Sequence, residues 1–481
     1  METPGIKDYR NFHQMLQETV DAHPADPAYR WFTDAGERQS INWEDFYIQV
    51  KAVSKSLMAL GVEKNDKVNI LSYTCYRWVL TDVAAMCIGG ITVGIYQSLP
   101  PKECQYIINH SDAVVIFVED KSQLEKLLEI RNEIPAIRKV VLFDGSYEGD
   151  DWIVSFDEFL ELGRDIPEEA FQERVAAVTP QDADIREGDE GFLFLPLAHI
   201  FARTATYTAL LGGGAVTFAR SMDTIVDDIK AARPHWFPSV PRIFEKVYAK
   251  VISGAEAKGG LALKIFHWAR NVGEQVSDYK LNKQTIPFTT NLKYKLATKL
   301  VFSKIQAALG GRLRWCISGA APLNPSIGKF FHAAGILVLE GIGMTENTSF
   351  TNLNRYDNYR FGWVGLPGPG IEQKVAEDGE LLYRGRNVMK EYYKMPEETA
   401  ETIEPDGWQH TGDLGEIDEE GFVRITGRKK DLIITAGGKN IAPAPIEGII
   451  ATSKYINQVC VIGDKRKYLT ALLTLDPENI M

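Results

Sequence analysis

The chain has 481 residues, of which 45% are hydrophobic and 25% charged, and its formal net charge is −12. That length predicts two or three domains, and the acidic balance argues against a nucleic-acid-binding surface while leaving room for a small basic pocket. Five scattered cysteines, isolated histidines and the lack of any apolar run near ~20 residues argue against a disulfide scaffold, a dedicated zinc site and a membrane-spanning helix.

Residues 42–144 alternate between two periodicities. Residues 43–60 predict an amphipathic helix, KVNILSY (67–73) a strand, 78–88 a helix, ITVGIY (91–96) a strand and 101–110 a helix; AVVIFVE (113–119), a charged helix and KVVLF (139–143) follow. Apolar strands alternating with helices imply a parallel sheet covered on both faces. A second round begins at GFLFLPL (191–197) and continues through a helix, AVTFA (215–219), a helix and HWFPSV (235–240). A long helical region (241–308) leads into RLRWCISGAA (312–321) and GILVLEGIGMTE (335–346). From about Gly362 glycine and proline become dense and turn signals recur, which predicts a small antiparallel, barrel-like piece. A short α+β stretch follows Arg428. The expected class is α/β: a large N-terminal domain (1–429) with two αβ-layered parallel-sheet subdomains (about 40–180 and 186–360) and a β-barrel-like subdomain (about 361–429). A partial small α+β C-terminal domain (430–481) completes it.

Several stretches could carry chemistry, each with a bland alternative. In Ser318-Gly319-Ala320-Ala321 small residues end a buried strand, where a flat ring could approach the backbone; alternatively this is a tight turn into a helix starting at Pro322. In EGIGMTE (340–346) a hydroxyl and a carboxylate, Thr345 and Glu346, would suit a phosphate oxygen and its Mg²⁺; alternatively Thr345 is a helix N-cap. In LPLAHIFAR (195–203) His199 sits where a strand meets a helix, a place more often held by a satisfied core histidine. In GWQHTGDLGEIDEEGFVRITGRKKDLI (407–433) Asp413 and Arg428 lie on neighbouring turns of one unit. A carboxylate accepts from hydroxyls and a guanidinium only donates, so the pair suits a diol such as a ribose, or forms a structural ion pair. The acidic turn DEEG reads as solvated and Lys429-Lys430-Asp431 as an exposed charge run. TAGGKNIAPAPIE (435–447) reads as a rigid connector into a helix near Pro445.

In order and spacing, FLPLAH, FPSVPRIFEKV (237–247), SGAAPL, GMTE, GWQHTGDLG and GRKKDLIITAGGKNIAPAPIE resemble the AMP-forming acyl-CoA synthetases, the ANL adenylate-forming enzymes, in their long-chain fatty acid–CoA ligase branch. The resemblance runs nearly end to end. It implies that a fatty acid and ATP form acyl-AMP and pyrophosphate, and that CoA then displaces AMP. It also implies that Gly319 and Ala320 line the adenine pocket, with Gly341, Ile342 and Gly343 opposite. Thr345 would touch the α-phosphate, Glu346 would hold Mg²⁺ and Asp413 the ribose hydroxyls, assisted by Arg428. Lys430 matches the hinge on which the small domain swings, and His199 would lie near the acyl carboxylate and the thioester-forming centre. The helices after Phe201 and around Trp236 would wall an acyl tunnel, where each buried CH₂ contributes ~0.8 kcal/mol.

Three departures stand out. Ile342 replaces the tyrosine usual at the adenine-stacking position, which removes an aromatic face. The family's TSGTTGxPKG phosphate loop, expected after VTPQDADI (178–185), has no counterpart, and neither has the adenylating lysine of a Gly-Lys motif near the family's C-terminus. The expectation is that these 481 residues omit the loop at residues 185–186 and the distal C-terminal domain; true loss would leave a non-catalytic acyl- or nucleotide-binding homologue. A third reading keeps adenylation but feeds a carrier protein, as fatty acyl-AMP ligases do. METPGIKDYR lacks an apolar secretory segment, so the expected setting is the cytoplasm or the inner face of the membrane, and a homodimer is compatible with it.

Overall fold

The computed structural model describes residues 11–33, 35–176, 189–451, 453 and 455–476, so the phosphate-loop junction at 185–186 lies outside the described residues. The chain divides into two compact units, 1–234 and 235–481.

In the first unit five parallel strands lie in the order Ile91–Ile95, Lys67–Leu71, Ala113–Val118, Lys139–Leu142, Ile153–Ser155. The strand period of two sorts the side chains of Ala113–Val118. Ile116 and Val118 join one apolar cluster with Ile108 and Leu124, from the helices Pro101–Ser111 and Lys121–Glu129. Phe117 points to the other face and meets Phe159 edge-on, with ring centroids 5.2 Å apart. Local signals fix the helix starts: Asn42 caps Trp43–Ala59 by accepting from Asp45 N at 2.7 Å, and Asp120 caps Lys121–Glu129 through Gln123 N at 3.0 Å. The fifth strand, Ile153–Ser155, lies beyond the stretch read for alternation; the other elements stand where the alternation of periods puts them.

The same unit also holds Glu190–Leu193 parallel to Ala215–Phe218. The second of these strands pairs in parallel with Pro27–Phe32, whose antiparallel partner is Arg38–Asn42. This N-terminal hairpin was not foreseen. Its apolar and polar residues are mixed, and its sheet partner lies far along the chain; buried Glu190, which pairs with Arg38 and with Arg30 at 3.1 Å, helps fasten it. The strand expected over 191–197 is also shorter. It spans Glu190–Leu193, and the chain leaves the sheet before Pro196.

In the second unit Trp236–Ser239, Trp315–Ser318 and Leu337–Ile342 form parallel neighbours, extended by the antiparallel pairs at Asn352–Leu353 and Leu366–Pro367. The helical stretch resolves into Pro241–Lys258, Gly260–Leu281, Phe288–Ala297, a π-turn Thr298–Phe302 and Ser303–Ala308. The barrel-like piece is an antiparallel four-stranded sheet ordered Glu372–Val375, Glu380–Arg384, Gln409–Ile417, Val423–Arg428. Beyond it lie the helix Pro443–Ile450 and the hairpin Ile456–Ile462/Thr470–Leu475. That helix starts at Pro443, two residues before the expected point, with Ala442 as its cap.

Candidate active site

His199 lies in the first unit. The segment leading to it is held from two sides: Leu197 N donates to Thr74 Oγ1 at 3.0 Å, and Thr74 Oγ1 donates to Leu195 O at 2.7 Å. On the other side a Cβ built on Gly94, in the strand Ile91–Ile95 of the five-stranded sheet, would stand 2.7 Å from Ala198 Cα, so that strand must carry glycine there. His199 caps the helix Ile200–Leu211, its Nδ1 accepting from Phe201 N at 3.2 Å. That bond assigns the proton of the neutral ring to Nε2, and partial burial lowers the ring's pKa below the usual histidine range. Exposed as a whole residue despite that partial burial of its ring, His199 is not the core histidine of the bland reading. Arg203, to which the sequence pattern assigned no role, ties the helix to Asp82 of Tyr76–Cys87 at 2.6 Å.

In the second unit the adjacent parallel strands align Ser318 with Glu340, so SGAA and GIGMTE leave the sheet side by side at carboxyl ends. That is where open α/β sheets bind ligands. Gly319 N donates to Ser239 O of the next strand at 3.1 Å. Ala320 has φ 70°, a left-handed conformation costly for any residue with a Cβ. Pro322 does not start the following helix. Asn324 caps it and Pro325 takes its first position, because SGAAPL runs on as a turn.

Buried Glu340, absent from the candidate residues, clamps that turn: its two carboxylate oxygens accept from Leu323 N at 3.3 Å and Gly362 N at 2.9 Å. Burial outweighs these bonds and raises its pKa to about 7.

Gly341, Ile342 and Gly343 follow, with Ile342 partly exposed at the strand end and its carbonyl accepting from Thr351 N at 2.9 Å. The glycines answer to the returning chain. A Cβ on Gly341 would come within 2.8 Å of Leu353 Cδ1, and one on Gly343 within 1.5 Å of Ser349 O. Thr345 is not an N-cap. The segment makes one 3₁₀ turn, Thr345–Asn347, with Met344 in the cap position and Met344 N donating to Asn347 Oδ1 at 2.9 Å. Thr345 is left exposed. Glu346 Oε1 accepts from Tyr392 OH at 2.7 Å, and its other oxygen carries no protein bond among the described residues.

The antiparallel sheet brings the last pair together. Asp413 and Arg428 are cross-strand partners, with Arg428 Nε 2.8 Å from Asp413 Oδ1. Asp413 is buried and Arg428 half-exposed. Burial raises the Asp413 pKa and the guanidinium opposes that rise. Oδ2 has no protein partner among the described residues. The TGD turn is stiffened by Thr411, whose Oγ1 donates to Leu381 O at 2.7 Å and accepts from Asp413 N at 3.0 Å. Fully buried Gln409 links this strand to the GMTE turn: its Nε2 contacts Met344 Sδ at 3.0 Å and its Oε1 accepts from Asn347 Nδ2 at 3.4 Å. Thr345, Glu346, Asp413 and Arg428 therefore stand on two bonded segments of one unit.

Lys429-Lys430-Asp431 is the exposed charge run of the bland reading, but Lys429 is paired within it: Nζ reaches Asp378 at 2.7 Å and buried Glu380 at 2.8 Å. Glu380 further accepts from Gly412 N at 2.7 Å and meets His410 Nδ1 at 3.0 Å. Burial raises its pKa, but these partners outweigh that and leave it lowered. Nor is the acidic turn plainly solvated, since Asp418 Oδ1 accepts from Phe422 N at 2.9 Å and Arg360 pairs with the same carboxylate.

Among the described residues no group of three or more His, Cys, Asp or Glu could cage a metal, and no helix is long and apolar enough to cross a membrane. A profile described as AMP-binding enzyme matches residues 16–170 and 168–393, and one described as AMP-binding enzyme C-terminal domain matches 430–480. A long-chain-fatty-acid–CoA ligase of Mycobacterium bovis is 33% identical over 89% of this chain and 76% of its own length. A human long-chain-fatty-acid–CoA ligase is 30% identical over 99% and 78%. Among solved structures, an anthranilate CoA ligase in complex with anthranoyl-AMP superposes with a TM-score of 0.74 at 19% identity, covering 100% of this chain and 89% of its own. The adenylation domain of a carboxylic acid reductase from Segniliparus rugosus, in complex with AMP, gives 0.74 at 18% identity over 97% and 82%. A parallel α/β body, an antiparallel sheet and a small C-terminal α+β piece, together with matches over most of the length, establish that the chain belongs to the AMP-binding enzyme family, the ANL adenylate-forming enzymes, in its long-chain fatty acid–CoA ligase branch.

Proposed function

We propose that the protein joins a long-chain fatty acid to ATP, giving acyl-AMP and pyrophosphate, and then transfers the acyl group to CoA, giving acyl-CoA and AMP. The observation that carries the nucleotide site is the Asp413–Arg428 pair: a buried carboxylate with one oxygen held at 2.8 Å and the other without a protein partner among the described residues. A ribose diol supplies the missing donor, and a charge-assisted bond there is roughly twice as strong as a neutral one. Relatives named as long-chain-fatty-acid–CoA ligases support the substrate class, and fold neighbours holding AMP or anthranoyl-AMP support the nucleotide.

In this reading Gly319, Ala320, Gly341, Ile342 and Gly343 flank the adenine, and Thr345 donates to the α-phosphate. Glu346 offers one free carboxylate oxygen. A lone carboxylate fits Mg²⁺, which keeps several waters and is completed by substrate phosphates, and the ion would offset phosphate charge. His199, with Nε2–H outward, serves the acyl carboxylate and the thioester-forming centre. The domain boundary falls between Lys429 and Lys430, giving 1–429 and 430–481. The enzyme works in the cytoplasm or against the inner face of the membrane.

Purified protein with palmitate, ATP and CoA should release AMP and acyl-CoA in equal amounts. Acyl-AMP accumulating without acyl-CoA would instead favour a ligase feeding a carrier protein, and no AMP release would favour a non-catalytic homologue. Asp413→Ala should raise the KM for ATP roughly 10- to 100-fold, the loss of one charge-assisted bond, with a much smaller change in kcat. An unchanged ATP dependence would remove Asp413 from the site.

A further inference from the structure

Between Asp278 and Glu340 the chain carries no acidic residue, although it is strongly acidic overall. The helix Phe288–Ala297 and its π-turn lie in this stretch. One side of the helix is packed: it lies against Gly260–Leu281, Ala297 is buried, and the Tyr294 ring meets buried Phe302 with centroids 5.9 Å apart. The opposite side is a row at i, i+4 spacing, Phe288, Leu292, Leu296 and Leu300, exposed by 82%, 61%, 50% and 41%. Side chains four apart line one helix face. The π-turn underwinds the helix at Leu300 and keeps that row from drifting as far around the axis. Lys295 and Lys299 border the row at helical spacing, and Lys293 and Lys304 stand beyond its other edge. All four are exposed, and none has an ion-pair partner among the described residues.

An apolar ridge edged by unpaired lysines is the pattern of a helix lying in a lipid interface, with the ridge among acyl chains and the ammonium groups at headgroup level. Charge selects the bilayer type. An anionic surface repels the net-acidic remainder of the protein and attracts this stretch, so it also sets the orientation of approach. We propose that the helix Phe288–Ala297 and its π-turn dock the enzyme on an anionic bilayer. This gives a definite surface and lipid chemistry to the peripheral setting read above, and it rests on that reading only for its biological use, not for its physics.

Co-flotation with vesicles tests it. The protein should bind vesicles of one part phosphatidylglycerol to two parts phosphatidylcholine at least tenfold more tightly than phosphatidylcholine alone. Leu292→Ser with Leu296→Ser should weaken that binding at least tenfold. Lys295→Gln with Lys299→Gln should weaken it roughly 25-fold, since each basic group near an anionic surface contributes about fivefold. In both variants acyl-CoA formation from detergent-dispersed palmitate should stay within twofold of the parent. Absent binding to the anionic vesicles, or binding undiminished in both variants, overturns the proposal. So does a dimer seen by light scattering that both variants dissociate while vesicle binding persists, because the ridge would then be a protein contact. Vesicle binding without acyl-CoA formation would sink the ligase reading and leave the docking intact.

Discussion

Glu340 ties two backbone segments together at the strand ends of the second unit. It is a carboxylate with almost no water, facing two backbone N–H donors, one from each of two segments. Its pKa is about 7 in the folded chain, against an ordinary glutamate value when unfolded. Between those values the folded state holds a proton that the unfolded state has lost, so Glu340 lowers stability as pH rises from about 4.5 to 7 and adds no further change above that. Glu340→Gln removes the titration and turns an amide NH₂ toward one backbone N–H, costing about 1–3 kcal/mol. Urea titrations should therefore show parent stability minus variant stability falling from pH 5 to pH 7, then level. A difference that rises over that interval would contradict the assignment. Nothing in LVLEGIG marks this role, because a glutamate in an apolar strand gives no sign of the two N–H groups that fold back onto it. Asp413 and Arg428 were legible because the turn between them is short enough for local register to bring them together.

At the scale of elements, the alternation of helix and strand periods located the parallel sheets, because local patterning dominates where both faces are covered. It failed where pairing is long-range, at the hairpin Pro27–Phe32/Arg38–Asn42, and where a strand stops early, after Leu193. Those outcomes are set by distant partners such as Glu190 and Thr74. The early stop matters for His199, since the segment between strand and helix is pinned by Thr74 and backed by Gly94. Gly94→Ala would force a Cβ against the Ala198 backbone and should displace that segment while leaving His199 itself intact. The expected cost is about 1–3 kcal/mol of stability. Steady-state kinetics should show kcat reduced by roughly 10-fold or more, the scale of a misplaced catalytic geometry. Full kcat at normal stability would separate His199 placement from catalysis.

On the scale of the whole molecule, charge is unevenly spread: a net-acidic protein carries one long stretch with no acid in it. The ends of the antiparallel sheet are uneven in another way. Lys429 and Lys430 are both exposed, but Lys429 is gripped by Asp378 and Glu380, and Lys430 has no ion pair among the described residues. A swinging door needs a post that stays still. If the C-terminal piece swings at Lys430, as the family resemblance implies, Lys429, held by two carboxylates, would be the fixed point directly before the moving bond. Lys429→Gln loosens the post. It should leave acyl-AMP formation near the parent rate and slow acyl transfer to CoA several-fold, so that acyl-AMP accumulates in a quenched single-turnover experiment. Equal slowing of both half-reactions would mean that Lys429 only holds the sheet together. On this view the charge run Lys429-Lys430-Asp431 is two parts in one: a bolt and, directly after it, the hinge pin.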